Sequence, residues 1–166
     1  MDKNKSLREH LLYLLRGGGA HLTFDAVVED FSIEKINERI AHIPYTAWEL
    51  LEHLRIAQWD ILEFSRNANH ISPDWPAGYW PAKDARPATE GDWTNSVAGF
   101  RKDLDEMIEL VEDPATDLYA RIPHGEGQTI LREALLVADH NSHHLGQLIM
   151  LKRILQSDGS KMTSDG

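Results

Sequence analysis

TAWELLEHLRIAQWDILEFSR, residues 46–66, decides the fold class. Thr46 and Glu49 form a capping box. The hydroxyl accepts from the amide three residues on, and the carboxylate reaches back to the N-cap amide. No Pro or Gly follows before Arg66, and Leu50, Leu51, Leu54, Ile61, Leu62 and Phe64 supply apolar faces at helical spacing. His53 stands seven residues into this helix, among Leu50, Leu51, Leu54 and Ile56. A polar ring inside such a run needs a partner.

Working outward from this helix, Leu7, Leu11, Leu14 and Leu15 predict an earlier helix that Gly17-Gly18-Gly19 stops. Leu22 to Phe31 predicts a second apolar helix. Residues 32–45 fit helix or loop, with Ile33, Ile36 and Ile40 at helical spacing and Pro44 closing the segment. On the other side, residues 67–88 hold Pro73, Pro76, Gly78, Pro81 and Pro87, which predicts a loop. A 20-residue helix is about 30 Å long, whereas such a loop, extended, reaches roughly 70 Å. It can cross a whole bundle and let its flanking helices run parallel. Trp75, Tyr79 and Trp80 suggest a packed crossover rather than a lid over a pocket. A third long helix is expected from about Asp92 to Glu112, ahead of Pro114. The last runs from about Thr129 to Leu155 and is apolar nearly all round over Ile130–Ala138, so it should be the most buried element. No β-alternation and no repeat is evident. The expectation is an all-α protein, a four-helix bundle with a long crossover between helices 2 and 3. Residues 1–156 would form one domain and 157–166 a polar, disordered tail.

Length and charge narrow the function classes. A chain of 166 residues suits one domain. Its 27 acidic and 17 basic residues give a net charge of −10, which argues against nucleic acid or an anionic membrane as partner. With no cysteine, thiolate ligands, disulfides and a cysteine nucleophile are all excluded. MDKNKSLREH is too polar for a signal peptide and no run of 18 apolar residues occurs, so a cytoplasmic protein is the expectation.

Nine histidines are the unusual feature. In DHNSHHLGQ, residues 139–147, His140 and His144 lie four apart and project from one helix face. That is the spacing at which a helix offers two nitrogens to one ion. His143 is rotated about 60° from His140 and could replace His144 in an i,i+3 chelate, although the 140/144 pair is preferred. With His53 the pair makes a three-nitrogen set that leaves coordination open for water, the catalytic pattern. Zn(II) and Ni(II) both suit imidazole. His10, His21, His42, His70 and His124 lie outside strong helical context and are not expected to be ligands. His124-Gly125-Glu126-Gly127 could form a small anion nest, but it lacks the preceding strand and third glycine of a nucleotide fingerprint. Glu133 and Gln147, each seven residues from His140, and Asp60, seven from His53, are weak candidates for orienting a ligand or handling a proton. An ordinary hydrogen bond at the core edge is the plainer reading of each. There is no G-x-S-x-G, H-E-x-x-H, Walker A or EF-hand loop.

WELLEHLRIAQWDIL around His53 and ADHNSHHLGQL around His140 and His144 resemble the DinB-like family of small bacterial metal-binding four-helix bundles. The resemblance covers nearly the whole chain, from LREHLLYLLRGGGAHLTF to the end of the last helix. It implies a long crossover between the second and third helices, and metal ligation by His53, His140 and His144. It also implies a choice of activities. Some relatives look like metal-dependent hydrolases. Others are similar to S-transferases and isomerases that use a low-molecular-weight thiol, and members can form homodimers. A small-molecule substrate or thiol is then the expected partner. Transfer would need cations for a charged thiol, for which Arg55, Arg132, Lys152 and Arg153 are available. A non-catalytic metal or small-ligand module, and a bundle whose histidines are merely packed, are the competing readings.

Overall fold

A computed structural model describes residues 3–19 and 21–160, with no side-chain description for residues 158–160. The described chain is all-helical: α1 (Lys3–Leu15), α2 (Phe24–Val28), α3 (Ala47–Arg66), α4 (Glu90–Glu112) and α5 (Ile130–Ser160). Its one β feature is an isolated bridge between Arg121 and Thr129. α1 ends where Gly17 adopts a left-handed φ of 72°, which costs glycine no Cβ clash. The capping box of α3 forms as the sequence predicts. Glu49 N–H donates to Thr46 Oγ1 at 3.1 Å, and Thr46 N–H donates to Glu49 Oε2 at 2.8 Å.

Three expectations are corrected. The second helix is five residues rather than ten, because Thr23 caps it and the chain turns away after Val28. α4 starts at Glu90, two residues early, because Thr89 and Asp92 make a second capping box with aspartate in the usual glutamate position. α5 runs to Ser160, five residues past the expected end at Leu155; residues 161–166 of the expected tail lie outside the described residues.

Helices α3 and α4 pack side by side, and both also meet α5. Ser96 donates to Glu52 at 2.8 Å, Gln58 donates to the Phe100 carbonyl at 2.7 Å, and Arg66 pairs with Glu106 at 2.5 Å. The partners advance together along both helices, so α3 and α4 run in the same direction. Residues 67–89 therefore return from one end of α3 to the other. Asn37 holds the end of this return by accepting from Ala88 N–H at 2.9 Å and donating to its carbonyl at 2.8 Å.

The apolar core forms two clusters. One joins Leu50, Leu51 and Leu54 to Phe100, Leu148 and Leu151; the other joins Ile61 and Leu62 to Met107, Val111, Ala134 and Val137. The site lies on the polar seam between them. α5 is not the most buried element: α3 hides more of its length, while Leu135 (45% exposed) and Met150 (55%) face out of α5. A helix with one outward face needs only a stripe of apolar contacts, and its remaining leucines are tolerated at the surface. Leu54→Ala, at 0% exposure, should destabilise the fold by about 2–5 kcal/mol. Leu135→Ala should change stability by no more than about 0.5 kcal/mol. Denaturant melts of the two variants check the assignment; equal losses would mean that α5 is buried on both faces.

Candidate functional site

Tautomer and geometry are coupled at the centre of the molecule. His53 comes from α3, and His140 and His144 lie one turn apart on α5. His53 Nε2 is 3.2 Å from His144 Nε2 and 3.2 Å from His140 Nε2. One nitrogen from each ring lies within 4.8 Å of the others. His53 is buried and the other two are half-buried.

Behind two of the rings stands a fixed oxygen. His53 Nδ1–H donates to the Tyr79 carbonyl at 2.9 Å. A carbonyl only accepts, so the proton sits on Nδ1 and Nε2 presents a lone pair. His144 Nδ1–H donates to Gln147 Oε1 at 2.6 Å, while the Gln147 amide donates to His143 Nε2 at 3.1 Å. His144 Nε2 is therefore also a lone pair. Two lone pairs 3.2 Å apart make no hydrogen bond with each other. A cation between them would relieve the repulsion. Nitrogens about 2.05 Å from a tetrahedral zinc are themselves about 3.3 Å apart, so the observed spacing fits a first-row divalent ion. Three ligands would leave a fourth position open.

Burial keeps the cluster uncharged. It lowers the basicity of His140 to about 3, with the neighbouring imidazoles of His144, His53 and His143 adding to the effect. Burial lowers His53 and His144 as well, against the opposing hydrogen bonds to Tyr79 and Gln147. Neutral imidazole is the form that ligates metal.

The crossover segment supports His53 from two sides. The Trp80 ring stacks on the His53 ring with centroids 4.0 Å apart and planes 4° from parallel. Tyr79 contributes its carbonyl to His53 and its hydroxyl to Asp60, at 2.6 Å. Burial, with Asp60 beside it, pushes the Tyr79 phenol up to about 12, so it remains a donor. His70 donates to the other Asp60 oxygen at 2.7 Å. Asp60 thus pins the segment that holds His53. Trp75 meets only the edge of this packing: its ring lies 5.3 Å from that of Tyr79, and it is 79% exposed.

The weak candidates separate clearly. Gln147 touches a ligand-type histidine directly. Asp60 reaches His53 only through Tyr79. Glu133 is buried in a 2.6 Å ion pair with Arg132 and is not among the clustered groups. A seven-residue offset keeps it on the His140 face but about 10 Å along the axis. His143 is exposed and serves Gln147. His124 donates to the Phe64 carbonyl at 2.7 Å and packs the 122–128 turn against α3.

Three of the four cations singled out in the sequence have other work. Arg55 pairs with Glu52, Arg132 with Glu133, and Lys152 donates to the Val27 and Glu29 carbonyls. Arg39 and Lys83, which the sequence did not single out, line a cleft with Tyr45 and Trp80. A second cleft, lined by Tyr45, His143, Gln147 and Met150, adjoins His144 through Gln147. Pro44 and Tyr45 belong to both clefts.

Sequence reading also missed the buried amides Gln58 and Asn141. Asn141 Nδ2 donates to Gln58 Oε1 at 2.8 Å. The signal was present: Leu54-Gln58-Leu62 and Val137-Asn141-Leu145 each set an amide in an i,i+4 apolar stripe, where it must be buried.

A search of curated proteins and a search of solved structures returned no match. A comparison with family models matches residues 20–148 to the DinB superfamily, a span that contains all three clustered histidines and the crossover that backs His53. On that match, the chain belongs to the DinB superfamily.

Proposed function

We propose that this protein binds a divalent metal ion through His53, His140 and His144 and uses the open coordination in a metal-dependent reaction of the hydrolase or thiol S-transferase type. The observation that carries the reading is the pair of opposed lone pairs at His53 and His144, each fixed by an oxygen behind its ring. Such an arrangement is costly in a half-buried site unless a cation occupies it. Zinc and nickel both suit three imidazoles.

A metal bound there supplies Lewis acidity, which makes water or an incoming thiol more acidic. The chain's own residues hold and shield. Tyr79 and Gln147 set the ring tautomers, and Trp80 covers one face of His53. Asp60 keeps Tyr79 in place. The protein has no cysteine, so any thiol arrives as a cosubstrate. Arg39 and Lys83 beside Trp80 give an anionic small molecule a place to dock in an otherwise acidic chain, although Arg39 is also paired with Glu49. No helix of the described residues is long and apolar enough to cross a membrane.

Protein purified without a polyhistidine tag should carry close to one metal ion per chain by elemental analysis. His53→Ala and His144→Ala should each lose most of it. A metal-free wild type would overturn the proposal. A panel of esters, amides and thiols, run with and without chelator, separates hydrolysis from transfer; chelator-insensitive turnover, or none with any substrate, would favour a binding role.

The depressed basicities give a pH signature with a definite sign. Free imidazole competes for protons from about pH 6.5, but these rings resist protonation when folded. Bound metal should persist through pH 6 and be lost at lower pH, as followed by dialysis and metal analysis. In the metal-free protein the unfolded chain takes up protons first, so folded stability falls as pH drops from about 6.5 towards 3. Thermal melts of metal-free wild type should therefore lose more between pH 6.5 and 4.5 than those of His140→Gln. Parallel profiles would contradict the assignment.

A further inference from the structure

The third histidine of the cluster lacks what the other two have. His53 and His144 each give their Nδ1 proton to an oxygen, whereas His140 Nδ1 is buried without a hydrogen-bond partner. Asn141 Oδ1, on the next residue, is also buried and also has none. The Asn141 side chain is 8% exposed and Gln58 is fully buried, so water does not serve either amide freely.

Elementary bonding rules fix which end of Asn141 is free. The Phe100 carbonyl can only accept, so Gln58 must point its NH2 at it, 2.7 Å away. That leaves Gln58 Oε1 as an acceptor for Asn141 Nδ2, 2.8 Å away. Asn141 is thereby locked with its carbonyl oxygen unspent. When His140 Nε2 is a ligand, its one proton resides on Nδ1 and seeks an acceptor. We infer that Asn141 is the positioning residue for His140: its Oδ1, oriented through Gln58 by the Phe100 carbonyl, accepts the His140 Nδ1 proton when the three-histidine site is loaded. This inference rests on the metal-binding reading above. It completes a common pattern, in which every imidazole has an oxygen behind it: a backbone carbonyl for His53, Gln147 for His144 and Asn141 for His140. Oxygen partners of this kind typically control metal affinity by about 10–100-fold.

Three proteins decide the matter: wild type, Asn141→Leu and Asn141→Asp. Leu removes the acceptor. Asp keeps an acceptor for His140 but sets an oxygen against Gln58 Oε1, so it disturbs packing while preserving the proposed bond. Zn(II) affinity is measured by competition with a chromophoric chelator, and folding by thermal melts. The expected result is a loss of about 10–100-fold in Leu, and in Asp an affinity within about threefold of wild type despite a lower Tm. In nitrogen-15 NMR of the Zn(II)-loaded wild type, His140 should show a slowly exchanging Nδ1 proton. This readout holds even if Asn141→Leu does not fold. Equal affinity in wild type and Leu, or affinity that tracks Tm in both variants, overturns the inference alone. So does a His140 proton on Nε2. A wild type that binds no Zn(II) overturns this inference and the proposed function together.

Discussion

Two nitrogens that both carry lone pairs repel, and the centre of this protein holds two such atoms 3.2 Å apart. Nothing in the rings themselves imposes this. It follows from the oxygens behind them, because a carbonyl or amide oxygen takes the single imidazole proton and turns the opposite nitrogen into a donor of electrons. The geometry of α3, α5 and the crossover segment can be read from that constraint. α5 supplies two rings one turn apart; α3 brings a third against them; residues 79 and 80 close over the third from outside.

The bundle makes room for this polar centre by dividing its core. Apolar clusters lie to either side, and the seam between them carries His53, Gln58, His140 and Asn141. Buried polar groups destabilise a fold unless their partners are complete. Gln58 meets the condition through Phe100 and Asn141, and Asp60 meets it through His70 and Tyr79. The two orphaned atoms in the seam, on His140 and Asn141, are neighbours in the chain. Their position beside the cluster is the place where a bound ion would change the hydrogen-bonding demand.

The surroundings of the cluster also bear on chemistry. Arg55 on α3 and Lys152 on α5 are spent on structure. Arg39 and Lys83, in the connections on either side of α3, line the cleft beside Trp80. The connecting segments thus carry both the oxygen that orients His53 and the charges nearest Trp80. Rigid helices hold the nitrogens, and the loops shape what reaches them.

Short-range chemistry made much of this legible from residue order. The capping box at Thr46, the apolar stripes and the i,i+4 spacing of His140 and His144 depend only on helical periodicity, which is local. The apolar run around His53 joined it to that pair, the family resemblance implied the same set, and the fold brings the three together. Periodicity gives a residue's face but not its level, so Glu133 and Asp60 share a face with histidines that lie two turns away. It also cannot say which side of a long helix meets solvent, and α5 turned Leu135 and Met150 outward. Trp80 on His53, the Tyr79 carbonyl behind it and the Gln58–Asn141 pair join segments 26 to 83 residues apart. Only tertiary structure decides such contacts, because they arise when distant segments compete for the same buried space and each polar atom must find its partner there.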